Sequence, residues 1–117
     1  MILLNGTNFE IEPVKSNIGV FDVAYILHNI DEDTVQSVID WLAENCSDNF
    51  IVTKTSHRIV AGGYVDNKQA YKNGRFKLKS SRKNNHITDS DVSYEVRLHN
   101  FDSVMFSMVW LNEKVEI

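Results

Sequence analysis

Cysteine, proline and long apolar runs are nearly missing from this chain, and each shortage removes a class of protein. A single cysteine, Cys46, cannot close an intramolecular disulfide and suits a reducing compartment. One proline, Pro13, and five glycines leave no Pro- or Gly-rich linker between domains. No stretch approaches the roughly 20 apolar residues that span a bilayer, so no membrane partner is expected. The opening "MILLNGTNFEIEP" lacks a basic n-region and its apolar run breaks at Asn5. No signal peptide is therefore expected, and the cytoplasm is the expected location. The sequons at Asn5 and Asn45 carry no weight without secretion. His28, His57, His86 and His99 are scattered, with no i,i+4 pair and no cysteines at zinc spacing. Ala61-Gly62-Gly63 lacks the Lys and the following helix of a phosphate loop. Neither a metal nor another cofactor is expected.

What is present suits one α+β domain over residues 1–117. Hydrophobic residues make up 43% of the 117, enough for a core without staples. "ILLNGTNFEIEP" predicts two short strands around Asn5-Gly6, and residues 19–29 a central strand covered on both faces. In "DEDTVQSVIDWLAENC", Val35, Val38, Ile39, Leu42 and Cys46 recur at helical spacing behind an Asp31 N-cap. Residues 50–55 and 58–65 read as two strands joined near Ser56-His57, with Gly62-Gly63 marking a bulge in the second. Residues 92–100 alternate like a half-buried strand. "FDSVMFSMVWL" fits either a strand or a helix. Phe101, Val104, Met105, Met108 and Val109 at helical spacing, with Asp102 as a cap, favour the helix. The expected architecture is an antiparallel or mixed sheet with two helices on one face.

Charge is strongly segregated. The net charge is −4, yet "KQAYKNGRFKLKSSRK" carries Lys68, Lys72, Arg75, Lys77, Lys79, Arg82 and Lys83 without one acid. Five of the twelve basic residues then remain against all sixteen acids, a balance of −11. A fold does not need this separation, so it bears on partners. Asn73-Gly74 favours a two-residue hairpin turn. Counting outward pairs Lys72 with Arg75, Tyr71 with Phe76, Ala70 with Lys77, Gln69 with Leu78 and Lys68 with Lys79. Five cations then share one side of a projecting ribbon at 68–80, and Tyr71 and Phe76 the other. Like charges directly opposite each other weaken a sheet, so an anion is expected nearby: solvent and the acidic body of the same protein, nucleic acid, or an acidic protein surface. Asp33, Asp40, Glu44 and Asp48 make the outer side of the first helix acidic.

Other residues carry weaker signals. Cys46 on an apolar helix face reads as a core residue. Asp22, Asp40 and Asp102 are not paired for acid–base work. Arg97 and His99 share a strand face and, with Asp102 nearby, allow a small ribonuclease site. Trp41 and Trp110 read as core-edge residues or as partner anchors.

Two fragments taken together resemble small uncharacterised proteins of tailed bacteriophages. "WLAENCSDNFIV" closes a helix with Trp and Asn-Cys before a strand, and "FDSVMFSMVWL" is similar to their "D-A-x-x-F-K-L-x-W" endings. Ser103 and Val104 stand for the usual Asp-Ala or Ala, and Ser107 where a Lys is common. The resemblance implies an α/β-plait-like fold and a phage or mobile-element origin, with no functional residues to carry over. By analogy it also implies a non-catalytic inhibitor of a host nucleic-acid-handling complex, of the anti-restriction or anti-CRISPR class. The partner would be a host protein or ribonucleoprotein. Direct RNA or DNA binding by the hairpin is the alternative, and a ribonuclease the third.

Overall fold

In the computed structural model the described residues form nine elements, of which two are helices. The structure describes residues 2–16, 19–46, 50–60, 63–72, 75–80 and 91–113. Residues 57–60, 63–67, 72, 75–80 and 91 among them are described by their backbone alone. The strands are β1 (Ile2–Leu3), β2 (Glu10–Lys15), β3 (Val23–His28), β4 (Phe50–Val60), β5 (Gly63–Lys72), β6 (Arg75–Ser80) and β7 (Asp91–Leu98). Helix α1 spans Glu32–Asn45 and α2 spans Asn100–Trp110. The strands make one antiparallel sheet in the order β1-β2-β3-β7-β4-β5-β6. Strands β3 and β4, joined through α1, run parallel with β7 between them, a split β-α-β unit. The α+β expectation holds.

Alternation decides which side of the sheet meets the helices. Tyr25, Val96 and Val52 stand side by side across β3, β7 and β4, and all three are buried. Val23, Leu27, Tyr94 and Leu98 extend this buried side. Both helices cover it, α1 with Val35, Val38, Ile39, Leu42 and Cys46, and α2 with Phe106. The other side, with Glu12, Ile26, His28, Glu95, Arg97, Ile51 and Thr53, is half-buried to exposed. Ala24 is buried there, so β3 is covered on one side and only partly on the other.

Three strand expectations change. The strand expected at 19–29 begins only at Val23, because Gly19 adopts φ +62° and turns the chain. No turn occurs at Ser56-His57. β4 runs unbroken to Val60, which pairs with Gly63, so only Ala61 and Gly62 lie between the strands. Gly63 opens β5 instead of lying inside a strand, and Ala61 and Gly62 are outside the described residues, so the bulge expected at the glycine pair lies in part outside them. Within the basic segment the pairing of Lys72 with Arg75, Tyr71 with Phe76, Ala70 with Lys77 and Gln69 with Leu78 is as counted. Lys68, however, stands opposite Ser80 instead of Lys79, because a bulge between Lys68 and Gln69 shifts the register by one residue.

Helix α1 starts as its sequence dictates. The Asp31 carboxylate accepts the Thr34 amide proton at 2.7 Å, with Glu32 and Asp33 in the first turn, where the dipole favours acids. Helix α2 lacks such a cap of its own: His99 at its N-cap makes no side-chain capping hydrogen bond. Asp22, from the loop before β3, accepts the Asn100 amide at 3.0 Å instead. At the other end Asn5 donates from its backbone to the Trp110 carbonyl (2.7 Å) and from Nδ2 to the Val109 carbonyl (3.3 Å). Leu4 bridges Leu111. Residues remote in sequence thus hold both ends of α2.

The Thr34 amide and hydroxyl hold the Asp31 carboxyl below the ordinary carboxylate range. A folded-state pKa below the unfolded one gives stability that is present at neutral pH and lost as pH falls through the folded value. Asp31→Asn keeps a good cap but cannot titrate. Its stability measured by denaturant midpoint between neutral and acid pH is expected to fall less steeply than that of the parent. Superimposable acid limbs would contradict the role given to this carboxylate.

Candidate interaction surfaces

The basic segment is built into the sheet. Lys68, Gln69 and Ala70 of β5 pair with β4 on one side and β6 on the other, and β6 ends the strand order. Lys68 is exposed, and Tyr71 is half-buried and packs against the core. That contact leaves Tyr71 less of its ring for stacking on a base. Lys72, Arg75, Phe76, Lys77 and Lys79 are placed by backbone register alone. Asn73, Gly74, Arg82 and Lys83 lie outside the described residues, and so does the projection expected of the ribbon. Lys72 and Arg75, two cations, stand directly opposite each other.

Asp33, Asp40 and Glu44 are exposed at i, i+7 and i+11, which puts them on one line of α1 opposite the buried stripe. Asp40 accepts from Gln36 Nε2 at 2.8 Å. Asp48 lies outside the described residues. Near the start of α1, Lys54 of β4 reaches Glu32 at 3.7 Å and sits 5.9 Å from the centre of the Tyr94 ring. One long side chain thus ties the sheet to the helix by charge and by ring contact.

The open side of the sheet has a shallow depression of about 230 Å³ lined by Val14, Lys15, Ser16, Ala24, Ile26, Glu95 and Arg97. Arg97 pairs with Glu95 two residues before it on the same strand face. The His99 ring packs on Phe21, 5.1 Å between centres. Asp102 is buried on α2, close enough for its charge to act on Cys46. The three residues considered for a ribonuclease site thus each have a different neighbour: Glu95 for Arg97, Phe21 for His99 and Cys46 for Asp102. His28 pairs with Glu12 at 3.2 Å. Among the described residues no three His, Cys, Asp or Glu side chains gather as metal ligands.

Helix α2 carries the surface that sequence reasoning missed. The helix is present, but its apolar spacing does not face the core. Phe101 is 79% exposed, Val104 57%, Met108 64% and Val109 45%, whereas Asp102, Ser103 and Ser107 are buried around Phe106. Phe106 stacks on Tyr25 (4.6 Å, 27°) and meets the edge of Trp41 (6.1 Å, 71°), which in turn meets Trp110 (6.4 Å, 85°). The Tyr25 hydroxyl donates to the Ser103 carbonyl at 3.3 Å, and Ser103 Oγ donates to the Asn100 carbonyl at 2.7 Å. Both tryptophans are half-buried and pack against the core. Asp102, expected as a cap, is an inward residue of the first turn.

Burial, with the Asp102 charge adding to it, pushes the Cys46 thiol up to about 11. Cys46 is fully protonated at neutral pH and sits 3% exposed on the core side of α1. Native protein is therefore expected to resist a chromogenic disulfide reagent at pH 7 to 8, and to release one equivalent of chromophore once unfolded. Rapid stoichiometric reaction of the folded protein would contradict this placement. No protein-family description, curated protein sequence or solved structure matches this chain.

Proposed function

We propose that the protein is a non-catalytic binding protein whose polar contact surface is the β5–β6 ribbon. Its target would be a nucleic-acid-handling complex of a host cell, blocked in the manner of a phage-encoded inhibitor of restriction or CRISPR machinery. The observation that carries the reading is the Lys72–Arg75 opposition in a chain that is otherwise strongly acidic. Two like charges directly opposite each other cost up to about 1 kcal/mol, which an anionic partner would remove.

Protection of a sheet edge is the plain competing explanation, since lysines on a terminal strand discourage edge-to-edge pairing. It accounts for Arg75, Lys77 and Lys79 on β6. It does not account for Lys68, which is exposed on a strand paired on both sides. The acidic line of Asp33, Asp40 and Glu44 on α1 supports a partner with surfaces of both signs, as a ribonucleoprotein has. Direct binding of RNA or DNA by the ribbon is the second reading, supported by the same cations.

Fluorescence anisotropy with labelled single- and double-stranded DNA and RNA, at low and moderate salt, separates the two. The inhibitor reading predicts no salt-sensitive binding to naked nucleic acid. It further predicts one host protein or ribonucleoprotein retained from a lysate and lost when Lys72, Arg75, Lys77 and Lys79 become Glu. Binding to naked strands that falls steeply with salt, and vanishes in the four-Glu variant, would replace it with the second reading. Retention unaffected by the four substitutions would remove both.

A further inference from the structure

Helix α2 is amphipathic in the wrong sense for a monomer. Its outward residues Phe101, Val104, Met105 and Met108 follow the i, i+3, i+4, i+7 spacing of a helix-docking face, with Val109 at the margin. The outward orientation is held by the Asp22 and Asn5 contacts at the two ends, the Tyr25–Ser103 hydrogen bond and the Tyr25–Phe106 stack. Turning the helix over would break all of them and bury Phe101 in place of Phe106.

We propose that this stripe is the contact between two copies of the protein, an antiparallel α2–α2 pairing about a two-fold axis between Val104 and Met105. Three features point to a second copy. The stripe has no charged residue, in a molecule with net charge −4 whose other helix is acidic along its outer side. Two copies can therefore meet here without opposing like charges, and a differently charged partner would find no complementary group to select. The spacing is self-complementary. Phe101 at one end lies seven residues from Met108 at the other, so a two-fold pairing sets each Phe101 ring against the Met108 thioether of the second copy, and Val104 against Val104.

The third feature is area. Phe101, Val104, Met108 and Val109 leave on the order of 400 Å² of largely apolar surface in water, in the range of functional patches on monomers. A standard stable interface takes about 800 Å² from each partner. The stripe with its half-buried member Met105 thus supports a reversible, concentration-dependent dimer rather than an obligate one. This contact is separate from the β5–β6 ribbon, and its test stands apart from the nucleic-acid measurements.

Sedimentation equilibrium of the full chain between about 5 μM and about 500 μM tests it. The mass is expected to rise from one copy toward two, and more readily at higher salt, because salt screens repulsion between acidic bodies but does not weaken an apolar contact. Val104→Lys, at an outward position, is expected to keep the parent's circular dichroism and melting while remaining one copy throughout. Val104→Cys, beside the axis, is expected to form a disulfide-linked dimer on mild oxidation, with the buried Cys46 as a silent background. A one-copy mass at every concentration, or a dimer indifferent to Val104→Lys, would overturn the proposal. In either case the stripe belongs to a different protein partner or is idle.

Discussion

The contact on which the rest depends is the stack of Phe106 on Tyr25. Tyr25 stands in the middle of the sheet, between Pro13 on β2 and Val96 on β7, with its ring buried. Phe106 is the one large apolar side chain that α2 buries fully, and it seats the helix on that ring. Trp41 then closes edge-on against Phe106, which ties α1 to α2, and Trp110 closes against Trp41. Ring pairs of this kind add roughly 0.5–1.5 kcal/mol each beyond the area they bury, and their geometry is directional. That direction fixes which side of α2 faces inward, at the expense of burying Asp102, Ser103 and Ser107.

The terminal contacts of α2 make this choice hard to reverse. A helix with neither an N-cap side chain nor a basic last turn is poorly stabilised on its own. Asp22 and Asn5 supply from elsewhere what α2 lacks, a carboxylate at its positive end and amide donors at its negative end. Because Asp22 precedes β3 and Asn5 follows β1, two segments near the N-terminal end of the chain hold a helix formed close to its other end. The split β3-α1-β4 unit with β7 threaded through it is what brings those segments together.

Much of this was legible in the sequence, and the reasons are local. Helix α1 announces itself through Asp31, the acidic first turn and a clean apolar period with charged residues opposite, so pattern and cap agree. The hairpin register around Asn73-Gly74 follows from counting, until a single bulge moves Lys68 from Lys79 to Ser80. The long β4 strand escapes notice because polar Ser56-His57 resembles a turn, whereas β4 runs on to Val60 and β5 begins at Gly63. Helix α2 was legible as a helix but not in its orientation. With Asp102 as its only charge, neither side of α2 is marked for water, and five apolar residues outnumber Phe106 and Trp110. Only the placement of Tyr25, Asp22 and Asn5 in three dimensions decides between the two sides. The charge segregation was legible as composition, but no residue pattern names what it serves.

Two surfaces of opposite character therefore leave one small core: a cationic ribbon grown from the sheet, and an apolar stripe on the helix that the aromatic cluster holds inside out. The most direct test of that account is a thiol-accessibility scan of α2 in dilute protein. Single substitutions Phe101→Cys and Met108→Cys are predicted to react with an alkylating reagent nearly as fast as a free thiol. Ser103→Cys and Ser107→Cys, in proteins that still show native circular dichroism, are predicted to be strongly protected. Protection at 101 and 108 with free reaction at 103 and 107 would mean that α2 is seated the other way round, and the aromatic cluster would not be its anchor.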